Sequence, residues 1–494
     1  MKHIAFDLGA ESGRAIVGEI INGKLETSEI HRFATQGTNV NGSLRWDVYR
    51  LFSELKEALK KYAKTYSNEP CSMGVDTWGV DYGVLDKNGK LISIPYHYRD
   101  ARNIGTTKVV EEKIGLDRLY ELTGIEYMEI NTLNQLIAAI NMDDPTIKSG
   151  EKILFMADLL QYFLSGVAKA EFCLSTTSCM FNTAESKWED QVFDAFDIPK
   201  KLQPETVYGG QVLGNIREEI AIETGISKEC KVITPATHDT ACAAVAVPKL
   251  GENVAFLSSG TWSLTGLELD EANINEETKK RNIANSGGAF GKILFLKSLM
   301  GLWHIQQSRK QWLKKNPDLG YGDIVIMAKS AEPFYGIIST DDVSFLNPKN
   351  MPKAICEFMK KTGQKQPDED DIGQIARIIF ESLAFKYKAS FEDLCAASDR
   401  KIDVLNIIGG GTKNKMLNQF TSNAMGIKVL AGPAEATSTG NILMQAYGAG
   451  EIKSLEELRQ VVINTFKPEE YMPKDTVEWD KNYIKYKQIY TQLF

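Results

Sequence analysis

Two stretches about half a chain apart carry the same device: IAFDLGAESGRAIVGEI, from Ile4 to Ile20, and VAFLSSGTWSLTGLEL, from Val254 to Leu269. Each is a short apolar strand, a turn of small polar residues and a second apolar strand. Glycine and serine at such a tip leave main-chain N–H groups unpaired and uncrowded by side chains, a nest that suits an anion. Two nests facing across a cleft suit the phosphate chain of a nucleotide. The repeat therefore predicts a duplicated, two-domain phosphotransferase.

Bulk properties allow that reading and remove others. A chain of 494 residues has room for two or three cores, since single cores stop growing near ~250–300 residues. With 43% hydrophobic and 25% charged residues and no low-complexity tract, it reads as folded throughout. The net charge of -8 offers no electrostatic footprint for nucleic acid or an anionic membrane. The N-terminal apolar run is broken by Asp7, which excludes a signal peptide, and no window approaches a membrane span. Seven scattered cysteines without CxxC spacing point to a reduced, cytoplasmic chain without a zinc site. A monomer and a homodimer are equally compatible with the sequence.

Strands and helices alternate. Ile4–Asp7 and Ala15–Ile20 form the first hairpin, and Leu25–Phe33 extends it. A helix is predicted from about Val48 to Tyr62, with apolar residues at i, i+3, i+4 and i+7 and Asp47 as N-cap. Met73–Val75 and Val80–Leu85 read as strands, and Asn88-Gly89 as a hairpin turn. Later, Asn253–Leu257 and Ser263–Leu267 flank the second nest, a long helix runs from about Ile372 to Leu394, and Val404–Ile408 is a buried strand. The pattern is α/β, with an N-terminal domain over residues 1–245 and a C-terminal domain over 246–494, the last helices packing back on the first, and a cleft between them.

Four constellations carry chemistry. In Asp7-Leu-Gly-Ala-Glu-Ser-Gly-Arg14, the main chain of Ala10, Glu11, Ser12 and Gly13 wraps a phosphate and Arg14 adds charge. Asp7 at the strand end suits Mg²⁺ held through water, since this hard cation wants oxygen ligands and keeps several waters. The competing reading is a tight hairpin with a buried strand-end acid; the echo at Ser258-Ser259-Gly260-Thr261 weighs against it. A Walker A loop is absent, because GGAFGK (Gly287–Lys292) is followed by Ile293.

ATHDTACAAVAVP, Ala236 to Pro248, places His238-Asp239-Thr240 between a short strand and a small-residue helix. Phosphorylating a hydroxyl needs one carboxylate to accept the proton, plus positioning and charge neutralisation. Asp239 is placed for that role, with His238 and Thr240 beside it; the bland alternative makes Asp239 a helix N-cap. GVDTWGVDY, Gly74 to Tyr82, sets Asp76, Trp78, Gly79 and Asp81 at a strand corner, the carboxylate-and-aromatic pairing that holds polyols. In PYHYRDARN, an ion pair of Asp100 with Arg99 or Arg102 competes with a ligand contact. IIGGGTKNKMLNQF, Ile407 to Phe420, joins a buried strand to a helix through three glycines, so a flat ligand comes close to the backbone.

Together DLGAESGR, HRF (His31–Phe33), WDV (Trp46–Val48), DTWGVDY, ATHDT, SSGTWSL, MGLW (Met300–Trp303) and GGGTKNKMLNQ resemble the signatures of the FGGY carbohydrate kinases, from Ile4 to about Gly450. The resemblance implies a duplicated actin-like, ribonuclease-H-like fold with an interdomain active-site cleft that closes on ATP, Mg²⁺ and a ketose. It implies Asp239 as proton acceptor, with Gly79, His238 and Thr240 at the sugar, where the strand corner adds Trp78 and Asp81. Around ATP it implies Ala10 to Arg14, Thr261, Gln306 and Gly410. Ser298 stands where related chains often carry Asn, and its hydroxyl reaches a sugar less far. Another ketose or polyol would use the same machinery with a different corner at Asp76–Tyr82, and an actin-like nucleotide switch would use it with no sugar.

Overall fold

In the computed structural model, residues 1–66, 69–248 and 253–491 are described. The chain forms two compact units. The first comprises Met1–Pro248, Glu268–Phe295 and Ala436–Phe466; the second comprises 253–267, Leu296–Glu435 and 467–491.

The first unit is built on a mixed sheet. Its strands are β1 (Lys2–Leu8), β2 (Ser12–Ile21), β3 (Lys24–Ala34), β4 (Cys71–Thr77), β5 (Val212–Asn215) and β6 (Lys231–Ile233), in the order β5-β6-β4-β1-β2-β3. β1 pairs antiparallel with β2 and parallel with β4. Side chains alternate across the sheet. Ile4 and Phe6 join the core formed with α1 (Val48–Tyr66), whose Leu51, Leu55 and Leu59 face the sheet. Further helices are α2 (Thr132–Asn141), α3 (Met156–Ser165), α4 (Phe172–Thr176) and α5 (Asp239–Val245). The α1 N-terminus follows its expected cap, with the Arg50 amide donating to Asp47 Oδ1 at 3.0 Å. The helix runs one turn beyond the expected Tyr62, and the Tyr66 ring packs tilted against that of Tyr62 at 4.9 Å.

The second unit repeats the pattern. Its strands are β7 (Val254–Ser259), β8 (Trp262–Leu269), β9 (Ile293–Met300), β10 (Val404–Ile408), β11 (Lys428–Ala431) and β12 (Glu469–Tyr471), in the order β9-β8-β7-β10-β11-β12. Again the first strand pairs antiparallel with its hairpin partner β8 and parallel with β10. The helices that matter are α6 (Trp303–Trp312), α7 (Ile372–Ser398) and α8 (Lys415–Met425). Gly409, at φ +84°, takes the chain from β10 toward α8.

A late segment then returns to the first unit. Helix α9 (Ala436–Gly448) packs Ile442, Leu443 and Met444 against Ala5, Ile16 and Leu25, on the face of the sheet opposite α1. The fit is close at Gly440, where an added Cβ would sit 1.8 Å from the Cys242 carbonyl oxygen of α5. All seven cysteines are free thiols. Among the described residues no helix is long and apolar enough to cross a membrane.

Candidate active site

The first nest is held from below. Gly9 N–H donates to the Ser12 carbonyl at 3.0 Å, while the Thr35 amide donates to the Glu11 carbonyl at 3.2 Å. With those carbonyls tied down, the tip is carried outward: Glu11 and Ser12 are exposed and Ala10 is half-buried. Arg14 lies opposite Asp7 in the β1–β2 register, and its Nη2 donates to Asp7 Oδ2 at 3.1 Å.

Asp7 is also the register partner of Asp76 on β4, so the two acids project from one face of the sheet. That face is covered by α9, whose Asn441 Nδ2 donates to Asp76 Oδ2 at 2.6 Å. The other Asp76 oxygen, Oδ1, is buried without a hydrogen-bond partner. Burial, then the nearby negative charges of Asp7 and Asp239, push Asp76 well above the usual carboxylate range. An acceptor left unsatisfied beside a second carboxylate is the setting in which a hydrated divalent cation fits, since Mg²⁺ takes one or two carboxylates and fills its shell with water and phosphate oxygen. No group of three or more His, Cys, Asp or Glu side chains forms a closed metal cage among the described residues.

The sugar-side residues come together at the ends of β4 and β6. The Thr77 amide donates to the Thr237 carbonyl at 2.9 Å, and Thr77 bridges His238 in parallel. This brings the bare Cα of Gly79 against His238: a Cβ there would lie 3.4 Å from His238 Nε2 and 3.3 Å from Thr177 Oγ1. His238 Nε2 is 3.3 Å from Asp239 Oδ1, and the Asp239 side chain is 36% exposed, within reach of a ligand. Burial pulls His238 below its usual range against the pull of Asp239, so it stands as neutral imidazole at neutral pH. Thr240 donates to Asp239 Oδ1 from its amide at 2.6 Å and its hydroxyl at 3.2 Å. The N-cap position belongs to His238; Asp239 is the first residue inside α5.

Two sugar-contact expectations meet a different geometry. Asp81 is fully buried, and its carboxylate accepts from Trp46 Nε1, from Trp78 Nε1 at 2.9 Å and from Gln135 Nε2 at 2.9 Å. Trp78 and Trp46 pack with their rings tilted, centroids 4.0 Å apart, and His97 stacks on Trp46 at 4.2 Å. Asp81 and Trp78 thus hold the corner in shape from inside. The Asp100 ion pair is likewise replaced: its carboxylate accepts the Leu44 and Arg102 amides, while the Arg102 guanidinium lies over Tyr96, 3.4 Å from the ring centroid.

In the second unit the nest closes in the same way, Gly260 N–H donating to the Trp262 carbonyl at 3.0 Å. The Gly260 and Thr261 carbonyls accept from Leu302 and Gly301, which seats α6, the helix of Gln306, on the turn. Gly411 presses on Ser259, where a Cβ would meet Oγ at 2.0 Å, while nothing lies within 4 Å of a Cβ on Gly410. Thr261, the helix of Gln306 and the Gly409–Gly411 run therefore gather around one turn with open space at Gly410. Ser298 is half-buried on β9 of this unit.

Sequence reasoning passed over Glu171, Thr177 and Asn441. None lies in a motif, and each meets the site only through a contact 66 or more residues away along the chain.

This fold and these clusters define a carbohydrate kinase: the chain belongs to the FGGY family of carbohydrate kinases, whose N-terminal domain matches residues 3–246 and whose C-terminal domain matches 255–449. More particularly, it is similar to the rhamnulokinase of Bacteroides thetaiotaomicron, at 40% identity over 98% of both chains. It is 37% identical to the rhamnulokinase of Bacillus subtilis over 96% of each. Among solved structures, a gluconate kinase from Lactobacillus acidophilus superposes with a TM-score of 0.83 at 14% identity, covering 100% of this chain and 98% of that one. Plasmodium falciparum glycerol kinase with ADP gives 0.79 at 14% identity, covering 100% and 97%. At that distance the structures share the fold alone.

Proposed function

We propose that this kinase transfers the γ-phosphoryl group of ATP to O1 of L-rhamnulose, giving L-rhamnulose 1-phosphate and ADP. The observation that carries the chemistry is the accessible Asp239 carboxylate beside neutral His238 and the bare Gly79. Similarity to rhamnulokinases over nearly the whole chain supports the choice of ketose.

In this reading Gly79, His238 and Thr240 hold the ketose so that its O1 hydroxyl faces Asp239. Asp239 accepts the O1 proton as the O1–P bond forms and the bond from Pγ to the leaving β–γ bridging oxygen breaks. A phosphoryl transfer asks little more of the protein than this proton acceptor, alignment and neutralised charge. His238 as an imidazole donates or accepts one hydrogen bond without adding a charge that would compete with Asp239. The main chain of Ala10 to Gly13, with Arg14, receives phosphate oxygens, and Thr261, Gln306 and Gly410 receive the rest of the nucleotide. Mg²⁺, held through water by Asp7 with Asp76 beside it, would neutralise phosphate charge. The chain works as a sugar kinase on small-molecule substrates.

A coupled ADP-release assay with Mg-ATP against L-rhamnulose, L-fuculose, D-xylulose, L-ribulose and glycerol tests the proposal. It expects the highest kcat/KM with L-rhamnulose. Preference for another sugar overturns the substrate, and ATP turnover indifferent to every sugar overturns the kinase reading in favour of a nucleotide switch.

A further inference from the structure

Helix α4 is only five residues long, yet both of its ends grip the sugar side of the site. At its start, Glu171 is buried, and its Oε2 accepts from the Thr237 amide at 3.1 Å and the Thr237 hydroxyl at 2.8 Å, besides the Cys173 amide at 2.8 Å. Thr237 is the residue before His238-Asp239. At its end, Thr177 Oγ1 donates to the Leu174 carbonyl at 2.8 Å and accepts the Val80 amide at 3.3 Å. Val80 is the residue after Gly79.

The grip at Val80 is costly to maintain. Val80 has φ +68°, a conformation that β-branched residues avoid and that persists only where the surroundings over-determine it. Its amide donates to Thr177, and its carbonyl accepts from Thr132 Oγ1 at 2.7 Å and Gln135 Nε2 at 3.3 Å, both on α2. Burying a carboxylate at Glu171 is costly too, and an amide or an apolar residue would fill the space without a charge. Both costs fall on residues adjoining the sugar site.

We infer that the Glu171–Thr177 segment is a brace that sets the spacing between Gly79 and Asp239, with Glu171 and Thr177 as positioning residues. One end fixes the segment that presents the proton acceptor; the other fixes the corner that presents the bare glycine. A single helical turn between them is stiff, so the spacing is built into the fold before sugar arrives. The inference rests on the reading of Asp239 as proton acceptor.

The test compares Thr177→Val, Thr177→Ser, Glu171→Gln and Thr237→Val with the wild type and with Asp239→Asn, reading kcat and the KM values for ATP and L-rhamnulose. Thr177→Val removes the acceptor for Val80, so the sugar KM should rise about tenfold with the ATP KM unchanged, and Thr177→Ser should restore it. Glu171→Gln and Thr237→Val loosen the Asp239 end and should lower kcat about tenfold with little change in sugar KM. Should Glu171→Gln fail to fold, Thr237→Val removes the hydroxyl bond to Glu171 from the other side and leaves the amide bond. The brace is overturned if Thr177→Val and Thr237→Val both match the wild type, or if serine fails to rescue at position 177. Full activity of Asp239→Asn would instead overturn the proton-acceptor reading, leaving the sugar KM of Thr177→Val to judge the corner end.

Discussion

Two carboxylates, one from each of two motifs, have opposite uses. Asp81 faces three N–H donors and no solvent; Asp239 keeps one oxygen near His238 and Thr240 while its side chain stays open. Asp81→Asn would turn an acceptor into an amide facing donors, a mismatch worth about 1–3 kcal/mol in a buried site. Urea unfolding should show that loss, and an unchanged midpoint would contradict the internal role of Asp81. Asp239→Asn should leave the unfolding midpoint in place and lower kcat by roughly 10²–10⁴-fold, the usual worth of a general base. Calorimetry should find L-rhamnulose still bound by that variant. Gly79→Ala places a methyl group 3.3 Å from Thr177 Oγ1 and 3.4 Å from His238 Nε2, tight enough to make a neighbour yield. The sugar KM should rise and the ATP KM stay level; equal rises in both would place the ligand elsewhere.

At the scale of elements, local pattern and long-range contact divide what the sequence could reveal. The two hairpins, α1, the long α7 and the turn at Asn88-Gly89 were legible, because hydrophobic period and glycine placement are local signals. His238 and Gly79 were legible as separate motifs, while their approach depends on β4 and β6 lying side by side. The grip of α4 and the left-handed Val80 were not legible, since a side chain's partner 66 or more residues away leaves no mark on its own neighbours. For the same reason Asp81 read as a sugar ligand: nothing near it announces Trp46 and Gln135. The α5–α9 crossing offers a direct test. Gly440→Ala must push the helices apart, at a cost of about 1–3 kcal/mol for overpacking. A chemical-denaturation midpoint equal to the wild type would contradict the crossing. The aromatic corner offers another. Burial, with help from Arg99, holds His97 down at about 4, below the usual histidine range. The unfolded chain therefore takes up a proton that the folded corner refuses, and stability should fall as pH drops from about 6.5 to about 4, by up to roughly 2–3 kcal/mol. His97→Phe should flatten that decline; an identical slope would show that His97 is not the group responsible.

For the molecule as a whole, both units start from one scheme, a strand with an antiparallel hairpin partner on one side and a parallel neighbour on the other. In both, the hairpin turn is closed by a glycine N–H donating to the carbonyl of the residue that starts the second strand. The same turn thus appears once beside acids and once beside a glycine run. A ligand that binds the folded chain alone stabilises it by mass action, about 2.7 kcal/mol at a hundred times its Kd. L-rhamnulose at such a concentration should therefore raise Tm, and glycerol at the same concentration should raise it less. The central claim is a transfer to O1, and the most direct measurement identifies the product. L-rhamnulose labelled with ¹³C at C1 is incubated with ATP, Mg²⁺ and the enzyme and followed by ³¹P and ¹³C NMR. The account predicts a phosphomonoester resonance coupled to the labelled carbon, growing with ADP. Phosphate on another carbon, or inorganic phosphate released with the sugar unchanged, would contradict it.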